Sequence, residues 1–185
     1  MSYQQALKTY TPQDSREVQH QDTICGLLDS YGDALLTRHP VAHLVSSAFV
    51  LNQAQTHVLF VHHNGYNKWV WTGGHADGNT NLLQVALTEA TEETGVVVTA
   101  LKDEIAALDI FSVAAHVKNG AYIAAHLHLS VGYIAIADDN APLRIKPDEN
   151  SAVQWLPITA LNETRFIPND LWLYHKLLKR AVAWR

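Results

Sequence analysis

The sequence predicts an α+β fold, in which about six strands are connected with few intervening helices. Runs of aliphatic and aromatic residues indicate strands, and the clearest are Val41–Leu51 and His57–His63. Between residues 82 and 94 the apolar side chains recur every three or four positions, which indicates a helix. A second helical pattern lies near the end of the chain, where the apolar face consists of Leu173, Tyr174, Leu177, Leu178 and Ala181.

The composition is that of one globular domain. The chain has 185 residues, of which 48% are hydrophobic and 17% charged. A formal net charge of -5 argues against binding of long nucleic acid, which requires a basic face. Cys25 is the single cysteine, so no intrachain disulfide can form. Because no apolar run approaches the length of a membrane span, we expect a cytoplasmic protein without membrane contact.

The first 36 residues or so show helical patterns. Pro12 lies where one short helix ends and another begins. Ile24, Leu28 and Tyr31 then recur at helical spacing. We predict that residues 1–41 form a helical extension packed on a domain of residues 42–185. The extension covers the core, acts as a lid or contributes to a dimer contact.

Turn signals separate the predicted strands. A short strand at Trp69–Trp71 leads into a glycine-rich turn at Gly73-Gly74, which enters the central helix. The later strands are expected at Val96–Leu101, Ala106–Val117, Ala124–Ala137 and Ala152–Leu156.

Three local signals complete the predicted secondary structure. An Asn-Gly turn signal at Asn119-Gly120 separates two of the later strands. Pro157–Leu161 predicts a turn of helix, and Asn169-Asp170 is predicted to cap the terminal helix.

The central helix carries three carboxylates, on Glu89, Glu92 and Glu93. Residues three and four apart lie on one helix face, so these side chains repel one another. Gly95 supplies a C-cap, which places the carboxylates in the last turn, where the helix dipole is already negative. A divalent cation held by oxygen ligands would remove both penalties. The alternative is a solvated acidic face.

The same stretch resembles the Nudix box. That pattern has a glycine, a later Glu, and then Arg-Glu-apolar-any-Glu-Glu-any-Gly-apolar. The leading glycine and the core match in register, on Gly74, Glu89, Glu92, Glu93 and Gly95. Thr80 replaces the early Glu and Thr88 replaces the Arg. In the family that Arg orients the catalytic glutamates, so both departures weaken the support of the metal ligands.

The resemblance implies a fold and a metal site. The fold would be a Nudix α/β/α sandwich with a mixed sheet, covering roughly residues 42 to 160. Glu89, Glu92 and Glu93 would hold Mg²⁺ or Mn²⁺, and the Gly74 carbonyl would complete the set of ligands.

Many Nudix hydrolases place one more carboxylate in a late loop, as metal ligand or general base. Glu149 is the candidate here and Asp148 the fallback. The residues predicted to be catalytic are therefore Glu92, Glu93 and Glu149.

The implied activity is that of a Nudix hydrolase. Water would attack phosphorus and cleave a phosphoanhydride in a nucleoside diphosphate linked to another moiety. The alternative is a Nudix-like protein that binds a nucleotide or sugar phosphate without cleaving it. An isoprenoid diphosphate isomerase would need a reactive cysteine in the cleft, whereas Cys25 lies in the N-terminal helical segment. The expected partner is a small nucleotide derivative, and a homodimer is common in the family.

The chain contains 11 histidines. His126 and His128 lie on one strand face, and His116 lies on the preceding strand. We interpret them as lining the substrate cleft or as hydrogen-bonded at a sheet face, with a transition-metal site as the alternative. Together with Gly73-Gly74-His75 they resemble a bacterial subgroup of Nudix proteins. The predicted substrate-binding residues are His75, His126, His128, Tyr66 and Trp71, the last two by stacking.

Overall fold

A mixed sheet forms the centre of the protein in a computed structural model that describes residues 1–118 and 120–185. The helices are α1 (Tyr3–Thr9), α2 (Ser15–Tyr31), α3 (Leu82–Thr94) and α4 (Pro168–Ala183). The first strands are β1 (Ala42–Asn52), β2 (His57–His63), β3 (Lys68–Val70), β4 (Thr72–His75) and β5 (Thr99–Ala100). The later strands are β6 (Ala107–Val113), β7 (His116–Lys118), β8 (Ala121–Ile123), β9 (His126–Ala137) and β10 (Asn150–Pro157). Short 3₁₀ helices span Gly32–Leu36 and Ile158–Ala160.

The main sheet has the order β10-β2-β1-β9-β5, and β3, β4 and β6 pair with β2, β1 and β9. The long central pair β1 and β9 is parallel, and the other pairs of this sheet are antiparallel. This arrangement confirms the predicted α+β class and the mixed sheet. β7 and β8 form a separate two-stranded sheet.

Helices cover both faces of the sheet. On one face, Leu44 and Leu129 pack with Ala86 and Ala90 of α3. The same cluster includes Leu7 of α1, together with Ile24 and Leu28 of α2. On the other face, α4 buries its apolar residues against side chains such as Phe49, Phe60 and Ile134. The layers therefore form the predicted sandwich.

Three charged side chains form ion pairs that connect α2, α4 and β6. The ammonium group of Lys176 on α4 lies 2.9 Å from the Glu17 carboxylate on α2 and 3.1 Å from that of Asp109 on β6. All three residues are buried. Glu17 also accepts hydrogen bonds from the backbone N–H groups of Gln13 and Leu108. We call Glu17, Asp109 and Lys176 the buried ion cluster.

Several local predictions were wrong. Gly73-Gly74 is part of β4 rather than a turn, because both glycines pair with β1. The strand predicted at Val96–Leu101 is regular only at Thr99–Ala100. Ile167 is the N-cap of α4, and Asp170 lies inside the helix, where it pairs with Lys68 at 2.9 Å.

The predicted hairpin between the later strands differs as well. The strand expected from residue 106 is interrupted after Val113, and β7 and β8 lie apart from the main sheet. Asn119 of the predicted turn lies outside the described residues. Among the described residues, every helix is too short or too polar to span a lipid bilayer.

Candidate functional site

Two glycines allow close contacts of β4, one with β1 and the other with α3. Gly73 pairs with Ser47 of β1, and a Cβ atom at Gly73 would collide with the Ser47 side chain. A Cβ atom at Gly74 would collide with the carboxyl group of Glu89 on α3. The absence of a side chain at Gly74 therefore lets the Glu89 carboxyl group lie against the strand backbone.

Three carboxylates converge beside these glycines. One oxygen from each of Glu89, Glu93 and Glu149 lies within 4.8 Å of the other two. We call these residues the acidic triad. α3 supplies two of them because residues four apart share a helix face, and Gly95 ends the helix with a φ of 76° directly beyond them. The predicted C-cap is thus confirmed.

Glu93 is the buried member of the acidic triad, with 3% of its surface exposed. Its carboxylate accepts a hydrogen bond of 3.3 Å from the Gly73 N–H. Burial, together with the nearby charges of Glu149 and Glu89, raises the pKa of Glu93 to about 8. Burial also raises the pKa of Glu89. Such a group stays anionic at neutral pH only when a cation compensates its charge.

A buried asparagine brings Glu149 to the helix. Asn150, which is 1% exposed, donates a hydrogen bond of 2.9 Å from its side chain to the Glu93 carbonyl. Its side-chain oxygen accepts the Lys146 N–H at 3.2 Å. These bonds fix the loop before β10 against the end of α3. Asn150 was not identified from the sequence, because the composition of a polar loop does not indicate which of its side-chain amides becomes buried.

Glu92 occupies a different position from its two neighbours. Its side chain is 54% exposed and lies outside the acidic triad. It pairs with Lys146 at 3.2 Å, and the same ammonium group lies 3.0 Å from Glu149. Lys146 therefore compensates part of the negative charge. Lys146 was not identified from the sequence. The one signal in the sequence is that it lies two residues before the candidate carboxylate Asp148.

The two threonines that depart from the box are exposed. The Thr88 hydroxyl accepts a hydrogen bond of 3.0 Å from the side chain of Gln84 one turn earlier. Thr88 thus engages its own helix, and the orienting function of the family's arginine is not provided by this side chain.

The predicted substrate-binding residues lie in three places. His75, His126 and His128 converge with His43 at one end of the sheet, with ring centroids 4.8 to 5.0 Å from that of His43. The sequence did not single out His43. The third histidine of the sequence hypothesis, His116, lies farther out, with its ring centroid 6.4 Å from that of His126.

The two aromatic candidates are separate from this histidine group. Tyr66 is 51% exposed and stacks on His63 at 4.4 Å. Trp71 is half-buried against Tyr174 of α4, so its ring contributes to the apolar core on that face. Core packing accounts for the Trp71 contacts.

Comparison with known proteins decides the family. The model of the NUDIX domain matches residues 42–177, from the start of β1 into α4. The chain belongs to the NUDIX domain family. This match confirms the resemblance seen in the box and the enzyme class predicted from it, a Nudix hydrolase. No curated protein matched the chain.

Solved structures share the Nudix fold with this chain. The MutT protein from Methanosarcina mazei Go1 is 15% identical, with a TM-score of 0.57 over 78% of this chain and 97% of that one. The NUDIX domain of Shewanella oneidensis NrtR, complexed with ADP ribose, is 18% identical, with a TM-score of 0.54 over 84% and 97%. A NUDIX-family hydrolase from Clostridium perfringens is 20% identical, with a TM-score of 0.52 over 74% and 96%. At these identities the likeness concerns the fold.

Proposed function

We propose that this Nudix protein hydrolyses a phosphoanhydride in a small nucleoside diphosphate derivative in the cytoplasm. The acidic triad carries the proposal. Oxygen donors within 4.8 Å of one another suit a hard divalent cation. Burial, followed by the charges of Glu149 and Glu89, raises the pKa of Glu93 to about 8, and a bound cation would offset both effects. Nudix hydrolases in general use divalent metals.

In this proposal Glu89, Glu93 and Glu149 hold Mg²⁺ or Mn²⁺, with the Gly74 carbonyl as a further ligand. Bound there, the cation neutralises pyrophosphate oxygens and makes water more acidic. Glu92 is less suited to the ligand role first predicted for it, since it points to Lys146 and solvent. It becomes a ligand only if its side chain leaves that ion pair.

The chain's own groups supply the proton transfer. Glu149 lies in a loop that Asn150 fixes, and its side chain is 37% exposed, so water can reach it. We assign it the role of general base that takes the proton of the attacking water. The Gly73 N–H holds Glu93 in place and stabilises its anionic form.

A specific observation supports a second function. Thr88 bonds to Gln84 and provides no positive group to orient the glutamates. A protein that binds a nucleotide or sugar phosphate without cleaving it would not need that group. The NrtR domain, whose structure contains ADP ribose, shows that this fold binds such a ligand in that protein.

One assay separates the two functions. Purified protein is incubated with ADP-ribose, dinucleoside polyphosphates, nucleoside triphosphates and nucleotide sugars, each with Mg²⁺ or Mn²⁺. Release of a nucleoside monophosphate or of phosphate, abolished by a chelator, is the result expected for the hydrolase. Saturable binding of one of these compounds without release of either product would overturn the hydrolase proposal and favour the sensor.

The metal-free protein is expected to lose stability as the pH rises from about 4.5 to about 8. The pKa of Glu93 is raised from 4.5 to about 8 in the folded state, so the folded protein binds this proton more tightly than the unfolded chain. The stability that this proton contributes is fully present below about pH 4.5, the pKa of Glu93 in the unfolded chain. It is lost as the pH rises through about 8, the pKa in the folded protein. Mg²⁺ should therefore raise Tm more at about pH 8 than at about pH 5.5, because its ligands must be deprotonated. Scanning fluorimetry measures Tm with and without Mg²⁺ at the two pH values. An equal increase in Tm at both would contradict the proposal that Glu93 is a metal ligand.

A further inference from the structure

Three strands bring histidines to one face of the sheet. His43 of β1 is the parallel register partner of His128 on β9, and His75 of β4 lies opposite Val45 of β1. Register partners present their side chains to the same face, as do residues two apart on a strand. His126, two residues before His128, therefore joins the group. We call His43, His75, His126 and His128 the histidine cluster.

The histidine cluster and the acidic triad lie on opposite faces of the sheet. Gly74 pairs with Ser46, whose hydroxyl donates to the Leu82 carbonyl of α3, so this face is the one that α3 covers. His75 is the next residue, and its side chain points the other way. The two groups are thus separate sites that share β4.

His43 has a buried nitrogen that needs a partner. The residue is 5% exposed, and its Nδ1 lies 3.1 Å from the His39 carbonyl. A neutral ring in this position donates from Nδ1 and keeps its lone pair on Nε2. That Nε2 is buried and has no hydrogen-bonding partner among the described residues. A buried acceptor in this state costs free energy that a bound cation would recover.

His126 adds a second inward lone pair. Its Nδ1 lies 2.9 Å from the Ala124 carbonyl, so the neutral ring also keeps its lone pair on Nε2. A backbone carbonyl in this position is the usual support of a metal-binding imidazole. The Nε2 atoms of His126 and His128 are 3.3 Å apart. Two nitrogen ligands of a tetrahedral zinc ion, each at about 2.05 Å, lie about 3.3 Å from each other.

The remaining distances require a small adjustment. One ring nitrogen from each of His43, His75 and His128 lies within 4.8 Å of the other two. Zinc ligands lie about 3.3 Å from each other, so where a separation exceeds this the rings must move closer together on binding. Neutral imidazole is the form that binds metal.

We propose that His43, His75 and His128 bind one Zn²⁺ ion through ring nitrogens, with His126 as the fourth ligand. Imidazole nitrogens select zinc and similar transition metals, whereas Mg²⁺ prefers carboxylate and carbonyl oxygens. The histidine cluster and the acidic triad would therefore take different ions. This site does not depend on the proposed hydrolysis, and it goes beyond it.

The test measures metal binding directly. Untagged protein is treated with a chelator and titrated with Zn²⁺ by calorimetry, and with Co²⁺ by visible absorption, which is intense only for a tetrahedral site. The wild type is expected to bind one equivalent of either ion at this site. A Glu89→Gln/Glu93→Gln variant, which disables the acidic triad, should keep that equivalent.

The ligand variants are His75→Asn and His128→Asn, since both residues are partly exposed and tolerate a polar replacement better than His43. Each is expected to weaken Zn²⁺ binding by at least about 100-fold. His175→Asn is the matched control, because His175 is exposed on α4. It should bind Zn²⁺ like the wild type. Circular dichroism shows whether each variant is folded. If one of the two ligand variants does not fold, Zn²⁺ binding by the other one tests the proposal.

Three results would overturn the proposal. The wild type could take up no Zn²⁺ at micromolar concentration. A folded ligand variant could bind Zn²⁺ as tightly as the His175→Asn control. Finally, the tetrahedral Co²⁺ spectrum could disappear in the Glu89→Gln/Glu93→Gln variant, which would place the ion in the acidic triad instead.

Discussion

A Glu93→Gln variant is expected to lose about a thousandfold in kcat, because a ligand oxygen whose charge stabilises the transition state has been removed. The same variant should be more stable than the wild type when metal is absent at about pH 8. The amide needs no compensating cation, whereas the wild-type carboxylate, with its pKa of about 8, carries an uncompensated buried charge. Steady-state kinetics with Mg²⁺ and chemical denaturation in a chelator measure the two effects.

Two glutamates serve as controls for this experiment. Glu92→Gln removes an exposed carboxylate outside the acidic triad, so a loss of about tenfold or less is expected. Glu163→Gln changes an exposed residue remote in sequence from the box and should leave kcat unchanged. If Glu93→Gln kept wild-type activity, or if Glu92→Gln lost more than Glu93→Gln, the acidic triad would not be the metal site.

A Lys176→Met variant is expected to lower the free energy of unfolding by about 3–5 kcal/mol. The substitution leaves the carboxylates of Glu17 and Asp109 buried without the ammonium group that lies 2.9 and 3.1 Å from them. Methionine fills a similar volume, so the loss arises from the uncompensated charges rather than from a cavity. Urea denaturation at neutral pH gives the change.

An exposed ion pair supplies the control for Lys176. Lys8→Met breaks the contact of 2.6 Å with Asp29, whose side chain is 66% exposed, and should destabilise the protein far less than Lys176→Met because water screens this pair. Adding Glu17→Gln and Asp109→Asn to Lys176→Met should recover part of the loss, because the like charges are then gone. Equal losses for Lys8→Met and Lys176→Met would show that the buried ion cluster contributes no more than a surface pair.

The sequence predicted the parts of the site that depend on local periodicity. Glu89 and Glu93 are four residues apart and Gly95 ends their helix, so their position on one side of α3 followed from helix geometry. The same rule grouped Glu92 with them. It could not show that Glu92 faces Lys146, which is 54 residues away in the chain.

The residues that were missed act through tertiary contacts. Asn150 is important because its side chain reaches the last turn of α3, and His43 because parallel pairing places it beside His128. Neither pairing leaves a periodic signal in the sequence. The cap predicted at Asn169-Asp170 was wrong because the helix begins earlier, at Pro168, and the Asp170 carboxylate inside it pairs with Lys68 of a distant strand.

The buried ion cluster has a consequence for synthesis on the ribosome. Glu17 and Lys176 are separated by 159 positions, so Glu17 is translated long before the ammonium group that pairs with it. Until then Glu17 must remain hydrated, and α2 cannot dock stably. The nascent chain should therefore acquire protease resistance in α2 only once Lys176 has left the exit tunnel, although α2 is translated before the sheet.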